Sequence, residues 1–493
     1  MKFTKPLAIV GAAALMFMAT DAVTYAATGS SLVLGRLNQA KATTTIQNTG
    51  TAPALKLVTK SKATAPMIVN GKGKVTNLYA DRAATADNAK KVGGKTLAQI
   101  QAAATGARGP AGAVGATGPA GASGPQYGRQ LVLTSIVDTT SIFGQEFTSV
   151  TIGADALPII SYYDETNLDL KVAHCTNTAC TAATATAIDT IGNVGRHASI
   201  TIGADALPII SYYDFTNGNL KVAHCTNTAC TTATATSVDT TGNVGYFTSI
   251  TIGADALPII SYYDFTNGNL TNGNLKVAHC TNTACTTATT TTIDTTGDVG
   301  FDTSITIGAD ALPIISYRDD TNGDLKVAHC SDTACTTATT TSVDTTGDVG
   351  YDTSITIGAD ALPIISYRDA TKGDLKVAHC TDTACTTAIA TAVDATAFDV
   401  GYFTSITIGA DALPIVSYYD ATNLDLKVAH CTNTACSSAT TTAIDTIRNV
   451  GLYTSITIGD DGQPVVSYSD FSNGDLKVAR IKHTAWAPNG WGR

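Results

Sequence analysis

A short motif, HC-x4-C, brings one histidine and two cysteines together and recurs six times along the chain. Histidine and thiolate groups bind zinc, and paired thiols form disulfides, so the motif raises two chemistries. Adjacent side chains of a strand point to opposite faces, so His174 and Cys175 cannot easily bind one ion, and the C-x2-C spacing of structural zinc sites is missing. We therefore predict no metal site and six disulfides: Cys175 with Cys180, Cys225 with Cys230, Cys280 with Cys285, Cys330 with Cys335, Cys380 with Cys385, and Cys431 with Cys436.

The other residues that could act in catalysis are few. The histidines of the motif, such as His174 and His224, share a strand face with Leu and Val, which favours a buried, hydrogen-bonded role. Catalysis needs inequivalent groups tuned to different tasks, whereas near-identical repeats offer the same group many times. The chain has two glutamates, Glu146 and Glu165, and no HExxH, phosphate loop or nucleophile motif. We expect no catalytic residue, no cofactor and no enzymatic activity.

The N-terminus has the features of an export signal. Lys2 and Lys5 precede the apolar run LAIVGAAALMFMA, and small residues follow up to Ala27. The run is shorter than the about 20 residues that span a membrane. We predict that residues 1–27 are a signal peptide and that the mature protein is extracellular without a membrane span. An uncleaved anchor is the alternative.

Charge is distributed unevenly along the chain. Residues 1–130 hold 15 basic and 3 acidic side chains, and the remainder holds 15 basic and 37 acidic side chains. A nucleic-acid partner would require a basic face, so the acidic part argues against such a partner.

Two segments precede the repeats. Residues 28–104 contain short alternating runs, and LVLGRLNQAKATTTIQNTG, PALKL and VTNLYADRA resemble β-rich trimeric stalks of bacterial surface and tail-fibre-like proteins. In residues 105–127 glycine occupies every third position from Gly106 to Gly124, and such a strict period is typical of a collagen triple helix. This segment resembles bacterial collagen-like surface proteins, which implies a homotrimer; a flexible linker is the alternative.

Residues 128–493 form a repeat array. SITIGADALPIISYYD or a close variant recurs about every 50 residues, and each unit reads as four strands separated by turns rich in Gly, Asn and Asp. The last unit has three strands, and the missing strand matches residues 131–139 at the other end. The array resembles a seven-bladed β-propeller, an all-β fold, and we predict that residues 131–139 pair beside Leu476 to Ala479.

Insertions indicate where the loops lie. The duplicated TNGNL within residues 266–275 and the extra residue in VDATAFDVG both fall between predicted strands. An insertion inside a strand would exchange its buried and exposed faces. We therefore predict that both insertions lie in loops on the same face of the propeller.

That face also carries most of the variation between repeats. Aromatic rings can pack on the apolar face of a sugar while carboxylates and amides bind its hydroxyl groups. Two alternatives are that these side chains fill gaps between blades, and that the D-x-T-N-G-D loop binds Ca²⁺. The candidate ligand-binding residues are Tyr163, Asp164, Tyr213, Asp214, Tyr246, Phe247, Tyr263, Asp264, Arg318, Asp319, Tyr351, Arg368, Asp369, Tyr402, Tyr419 and Asp420.

The function predicted from these features is adhesion at a cell surface. Repeated weak sites, multiplied in a trimer, would bind a glycan or another surface polymer with high avidity. The alternatives are a structural spacer without a ligand and a polysaccharide hydrolase. The hydrolase requires an asymmetric channel mouth with carboxylates on different blades.

Overall fold

The computed structural model describes residues 131–139, 145–266, 273–396 and 399–482. These residues form 28 strands in seven four-stranded antiparallel sheets. The innermost strand of each sheet contacts the innermost strand of the next, and the seventh contacts the first, so the sheets close into a ring. The seven-bladed β-propeller is confirmed. The predicted signal peptide, stalk and collagen-like segment lie outside the described residues.

Seven innermost strands line the channel. They are β2 (Gln145–Ile152), β6 (Val194–Ile202), β10 (Val244–Ile252), β14 (Val299–Ile307), β18 (Val349–Ile357), β22 (Val400–Ile408) and β26 (Val450–Ile458). The second strands are β3 (Pro158–Asp164), β7 (Pro208–Asp214), β11 (Pro258–Asp264), β15 (Pro313–Asp319), β19 (Pro363–Asp369), β23 (Pro414–Asp420) and β27 (Pro464–Asp470).

Seven third strands lie outside the second strands. They are β4 (Asp169–Cys175), β8 (Asn219–Cys225), β12 (Asn274–Cys280), β16 (Asp324–Cys330), β20 (Asp374–Cys380), β24 (Asp425–Cys431) and β28 (Asp475–Lys482). The outer strands are β5 (Ala183–Asp189), β9 (Ala233–Asp239), β13 (Ala288–Asp294), β17 (Ala338–Asp344), β21 (Ala388–Asp394), β25 (Ala439–Asp445) and β1 (Leu131–Asp138).

The first strand of the chain closes the ring as the outer strand of the last blade. Leu131 lies opposite Lys482, and Thr134 lies opposite Ala479, in an antiparallel pairing. The predicted pairing of residues 131–139 is therefore confirmed. Both insertions also lie between strands, the TNGNL duplication between β11 and β12 and the extra residue between β21 and β22.

Burial follows the order of the strands within a blade. The second strand, with the sequence PIISYYD in three blades, is buried on both faces because the sheets on either side cover it. The outer strands are exposed or half-buried along most of their length and end in a buried aspartate. The core lies between blades, where Ile159 and Leu170 of one blade pack with Ile210 and Tyr212 of the next.

A buried polar triad joins each blade to the next. Asp189, at the end of an outer strand, accepts a hydrogen bond at 2.7 Å from the Tyr212 hydroxyl and another from the Lys221 ammonium group of the following blade. Burial alone would raise the pKa of Asp189, but these bonds outweigh it and lower that pKa. Asp138 on β1 makes the same two contacts, with Tyr162 and Lys171, across the closing interface.

All six predicted disulfides are present, each closing the hairpin between a third and an outer strand. The preceding histidine is mostly buried and hydrogen-bonded: His174 Nε2 lies 2.8 Å from Asp155 Oδ2 in the turn after the inner strand. No helix within the described ranges has the length and apolar character needed to cross a membrane.

Candidate functional site

A bulge in every inner strand directs one side chain toward the channel. The pairing of β10 with β11 shifts register between Tyr246 and Ser249, and Phe247 within the bulge has a φ of 50°. All seven blades have a non-glycine residue with positive φ here, an uncommon conformation. We call this set the channel ring: Phe147, His197, Phe247, Asp302, Asp352, Phe403 and Tyr453.

The candidates Tyr246 and Phe247 were assigned to the face that carries the loops between blades, and the structure corrects their placement to a strand. The inner strands begin several residues earlier than the SITI pattern suggests, so residues such as Tyr246 and Phe247 lie on the strand itself. The bulge lets the strand continue and still turn one side chain out of the alternating pattern.

The channel ring and the residues that follow it line an open cavity of about 200 Å³. Five ring members form a continuous aromatic arc through blades six, seven, one, two and three. Phe403 and Tyr453 have centroids 4.5 Å apart, Tyr453 and Phe147 4.9 Å, Phe147 and His197 4.2 Å, and His197 and Phe247 4.7 Å.

Two carboxyl groups complete the ring on blades four and five. The Asp352 backbone N–H donates to Asp302 Oδ2 at 2.9 Å, so the two residues are in contact. Burial and the negative charge of Asp302 raise the pKa of Asp352 to about 8, and burial raises the pKa of Asp302. At neutral pH the pair therefore retains a proton.

His197 is the one imidazole of the channel ring. Burial, helped by the nearby Arg196 cation, lowers the pKa of His197 to about 3. The ring is consequently neutral on its aromatic side and acidic on the other.

Threonine follows the ring residue in six blades and fixes the inner strand to the preceding blade. Thr248 donates to the Ser211 hydroxyl, and Thr303 donates to Ser261 at 2.9 Å. Blade two has Ala198 at this position, and the Ser161 hydroxyl opposite it is buried without a hydrogen-bond partner.

The predicted tyrosines and arginines of the second strands are buried at the blade junctions. Five of the six pack on the residue that precedes the next blade's ring residue. The contacts that the structure shows are Tyr163 with Arg196 at 5.2 Å, Tyr213 with Tyr246 at 4.1 Å, Tyr263 with Phe301 at 4.4 Å, Arg318 with Tyr351 at 3.6 Å, and Arg368 with Tyr402 at 3.9 Å. Tyr419 is also buried, and its hydroxyl donates to Asn449 Oδ1 at 2.9 Å.

The junction contacts explain why these positions vary together. An arginine on one side faces an aromatic ring on the other, and the two tyrosines of blades two and three face aromatic rings. Tyr246, Tyr351 and Tyr402 remain partly exposed, as does Phe247 in the ring. Their predicted role in ligand binding stays a prediction.

The aspartates at the ends of the second strands cap the following turn. Asp214 Oδ1 accepts from the Asn217 backbone N–H at 3.0 Å, and its Oδ2 accepts from the Asn217 side chain at 2.9 Å. These carboxylates also lie near the triad lysine of their blade, as with Asp164 and Lys171 at 3.5 Å. Five are buried and Asp264 is half-buried; the six are Asp164, Asp214, Asp264, Asp319, Asp369 and Asp420.

The closing junction differs from the other six. A small residue, Ser469, stands where the others have Tyr or Arg, and Glu146 lies at the junction position of the next blade. The Tyr453 hydroxyl donates to Glu146 Oε1 at 3.1 Å, and burial together with the charge of Glu165 raises the pKa of Glu146. Both glutamates of the chain are thus close together near the channel ring.

The sequence shows that this position varies in six blades, from His197 to Tyr453, but only Phe247 was chosen as a candidate ligand-binding residue. The signal in the sequence is one position that is Phe, His, Asp or Tyr in different repeats, between segments whose length is nearly the same in every repeat. The parts of the chain that the structure describes contain no group of three or more His, Cys, Asp or Glu residues able to hold a metal ion.

No family model matches the sequence, and no curated protein matches it. Solved propellers are similar to it at low identity. The arabinofuranosidase Arb93A of Fusarium graminearum is 11% identical with a TM-score of 0.44, covering 59% of this chain and 92% of that one. The NanB sialidase of Streptococcus pneumoniae is 10% identical with a TM-score of 0.40, covering 72% and 70%. The polysaccharide lyase Uly1 is 10% identical with a TM-score of 0.41, covering 74% and 94%.

The expectation that the chain is not an enzyme is withdrawn: the solved propellers similar to it include an arabinofuranosidase, a sialidase and a polysaccharide lyase. That expectation also relied on equivalent blades, and the channel ring is not equivalent from blade to blade. At these identities the likeness concerns the fold alone.

Proposed function

We propose that the channel mouth binds a saccharide. The observation that supports this most directly is the division of one cavity into an aromatic arc and a pair of carboxyl groups. The arc supplies surfaces for the apolar face of a sugar ring, and Asp302 and Asp352 supply hydrogen bonds to hydroxyl groups.

The proposal includes an extracellular location. Six disulfides in a chain of this size suit an oxidising compartment. The predicted signal peptide, residues 1–27, agrees with this location. Adhesion would follow if the predicted stalk, residues 28–127, assembles three propellers, because three linked sites bind a surface polymer with higher avidity than one.

A glycan array probed with the full mature chain tests saccharide binding. We expect binding by the wild type and a loss of about twofold to tenfold in the Phe247→Ala variant, since ring stacking contributes about 0.5 to 1.5 kcal/mol. Phe471→Ala is the matched control, because Phe471 is exposed in a loop and does not line the cavity. If neither the wild type nor any variant binds a saccharide, the proposal fails and the structural-spacer alternative gains support.

Hydrolysis of a glycosidic bond is a second candidate, favoured by the inequivalence of the carboxyl groups. Such reactions use a protonated carboxyl as acid and an ionised one as base or nucleophile. Asp352, with a pKa of about 8, retains a proton at neutral pH and could protonate the leaving oxygen. The test is release of reducing ends from polysaccharides by the wild type and by Asp352→Asn. Equal release, or none, contradicts this candidate.

A further inference from the structure

The lining of the channel cavity contains two carboxyl groups and neither lysine nor arginine. Its one imidazole, His197, is neutral at physiological pH because its pKa is lowered to about 3. An anionic sugar entering this cavity would meet Asp302 and Asp352 without a compensating cation. A charge that loses hydration without a partner is costly, so the lining disfavours sialic and uronic acids.

The arginines nearest to Asp302 and Asp352 already have partners, and Arg196, beside His197, packs on the Tyr163 and Phe215 rings. Arg318 donates to Asp320 Oδ1 at 2.7 Å and to the Val349 carbonyl at 2.7 Å, and it lies 2.8 Å from Asp348 Oδ1. Arg368 donates to Asp399 Oδ1 at 2.7 Å. Each guanidinium group also stacks on a junction tyrosine. These cations are therefore engaged at the blade junctions and not offered to a ligand.

The aromatic arc adds an attraction for positive charge. The faces of Phe and Tyr rings attract ammonium groups, and the attraction increases when the cation leaves water. Four such rings, Phe147, Phe247, Phe403 and Tyr453, line the same cavity as the two carboxyl groups. Together they form a site in which a hydrogen-bonding cation has partners on both sides.

We propose that the saccharide recognised at the channel mouth is cationic, an oligomer of an amino sugar with free ammonium groups held between Asp302, Asp352 and the aromatic arc. This inference rests on the proposed function and narrows it to one chemical class of ligand. N-acetylation removes the positive charge of the amino sugar, and uronic acid oligomers carry a negative charge in its place.

Calorimetric titration of the full mature chain at about pH 6, where a free sugar amine is protonated, tests the inference. The probes are a glucosamine tetramer, the matched N-acetylated tetramer and a galacturonate tetramer. The double variant Asp302→Asn/Asp352→Asn removes the acidic pair and keeps its shape. The control, Asp324→Asn/Asp374→Asn, makes the same two substitutions in the same blades on third strands that do not line the cavity.

We expect the glucosamine tetramer to bind wild type and control alike, and the double variant about tenfold or more weaker. The galacturonate tetramer should not bind. Equal affinity for the N-acetylated tetramer, or unchanged affinity in the double variant, overturns the inference while saccharide binding stands. Absence of binding by every saccharide overturns the proposed function as well.

Discussion

The seven residues of the channel ring share a backbone conformation while their side chains differ. Their φ values lie between 49° and 54°, although they include Phe, His, Asp and Tyr. The bulge sets the direction of each side chain, so substitutions change the chemistry of the cavity without changing the strand. This separation allows a ring of nearly identical blades to contain an asymmetric site.

The acidic pair should make the stability of the protein depend on pH. A carboxyl whose pKa is about 8 when folded and about 3.9 when unfolded keeps its proton only in the folded state between those values. The unfolded chain then binds fewer protons, so stability falls as pH rises from about 4 to 8. Asp302 opposes ionisation of Asp352, and Arg318 and Arg368 partly favour ionisation of the pair.

Asp352→Asn should therefore stabilise the protein at pH 7 by at least about 1 kcal/mol, the free energy of one pKa unit. Urea unfolding of both proteins at pH 4 and pH 7 measures the difference. We expect the gap to narrow strongly at pH 4, where the carboxyl is protonated in the folded state and about half protonated in the unfolded chain. A gap of the same size at both pH values would contradict the explanation.

Ala198 leaves a buried hydroxyl without a partner, and restoring threonine should correct this. Ala198→Thr reproduces the residue of the six other blades and offers Ser161 a hydrogen bond. We expect stabilisation of about 1 kcal/mol in chemical unfolding. Ala198→Val adds similar bulk without the hydroxyl, and an equal gain in that variant would show that packing alone is responsible.

At the scale of elements, each outer strand contacts the next blade through the aspartate at its C-terminal end. The same aspartate, tyrosine and lysine meet at interfaces inside the chain and at the closing interface. The strand β1, although distant in sequence from β28, is therefore fixed by both backbone pairing and a buried ionic contact.

Asp138→Ala should open the closing interface. The variant leaves the Lys171 ammonium group buried without this partner, at a cost of about 3 to 5 kcal/mol. Hydrogen exchange should accelerate in residues 131–138. Asp239→Ala removes the equivalent carboxylate from an interface inside the chain and should also destabilise the protein. Residues 131–138 should exchange more slowly in that variant than in Asp138→Ala. Identical exchange in the two variants would argue against a closing role.

The sequence predicted those elements whose pattern repeats. Strand order, the closing strand, the loop insertions and the disulfides follow from β-branched runs, turn residues and a fixed spacing. The bulge was not predictable, because nothing in the sequence around Phe147 or Asp302 indicates that these residues adopt a positive φ. The junction contacts were also hidden, since Tyr213 and Tyr246 meet only when two blades pack together.

At the scale of the whole molecule, the propeller has one channel mouth in place of seven equivalent sites. All seven inner strands contribute to the same cavity, and the residues they contribute are not interchangeable. Any avidity in binding would then arise from the number of chains in the assembly.

A titration of the full mature chain with a short saccharide should give one bound ligand per chain. The measurement is calorimetric stoichiometry with the tetramer that binds best. A value near seven would show that the blades bind independently and that the cavity is not the site. Asp302→Asn should weaken the single site without changing the stoichiometry.

The closing interface repeats the aspartate, tyrosine and lysine triad of the six other interfaces. The triads therefore do not depend on the blade at which the polypeptide begins. A gene rearranged so that the open ends fall between blades three and four, with the present ends joined, would encode the same seven interfaces. The last blade still differs from the other six: its described residues contain no hairpin disulfide, and Ser469 stands beside Glu146 at its junction with blade one. These differences identify the blade in which β1 closes the ring.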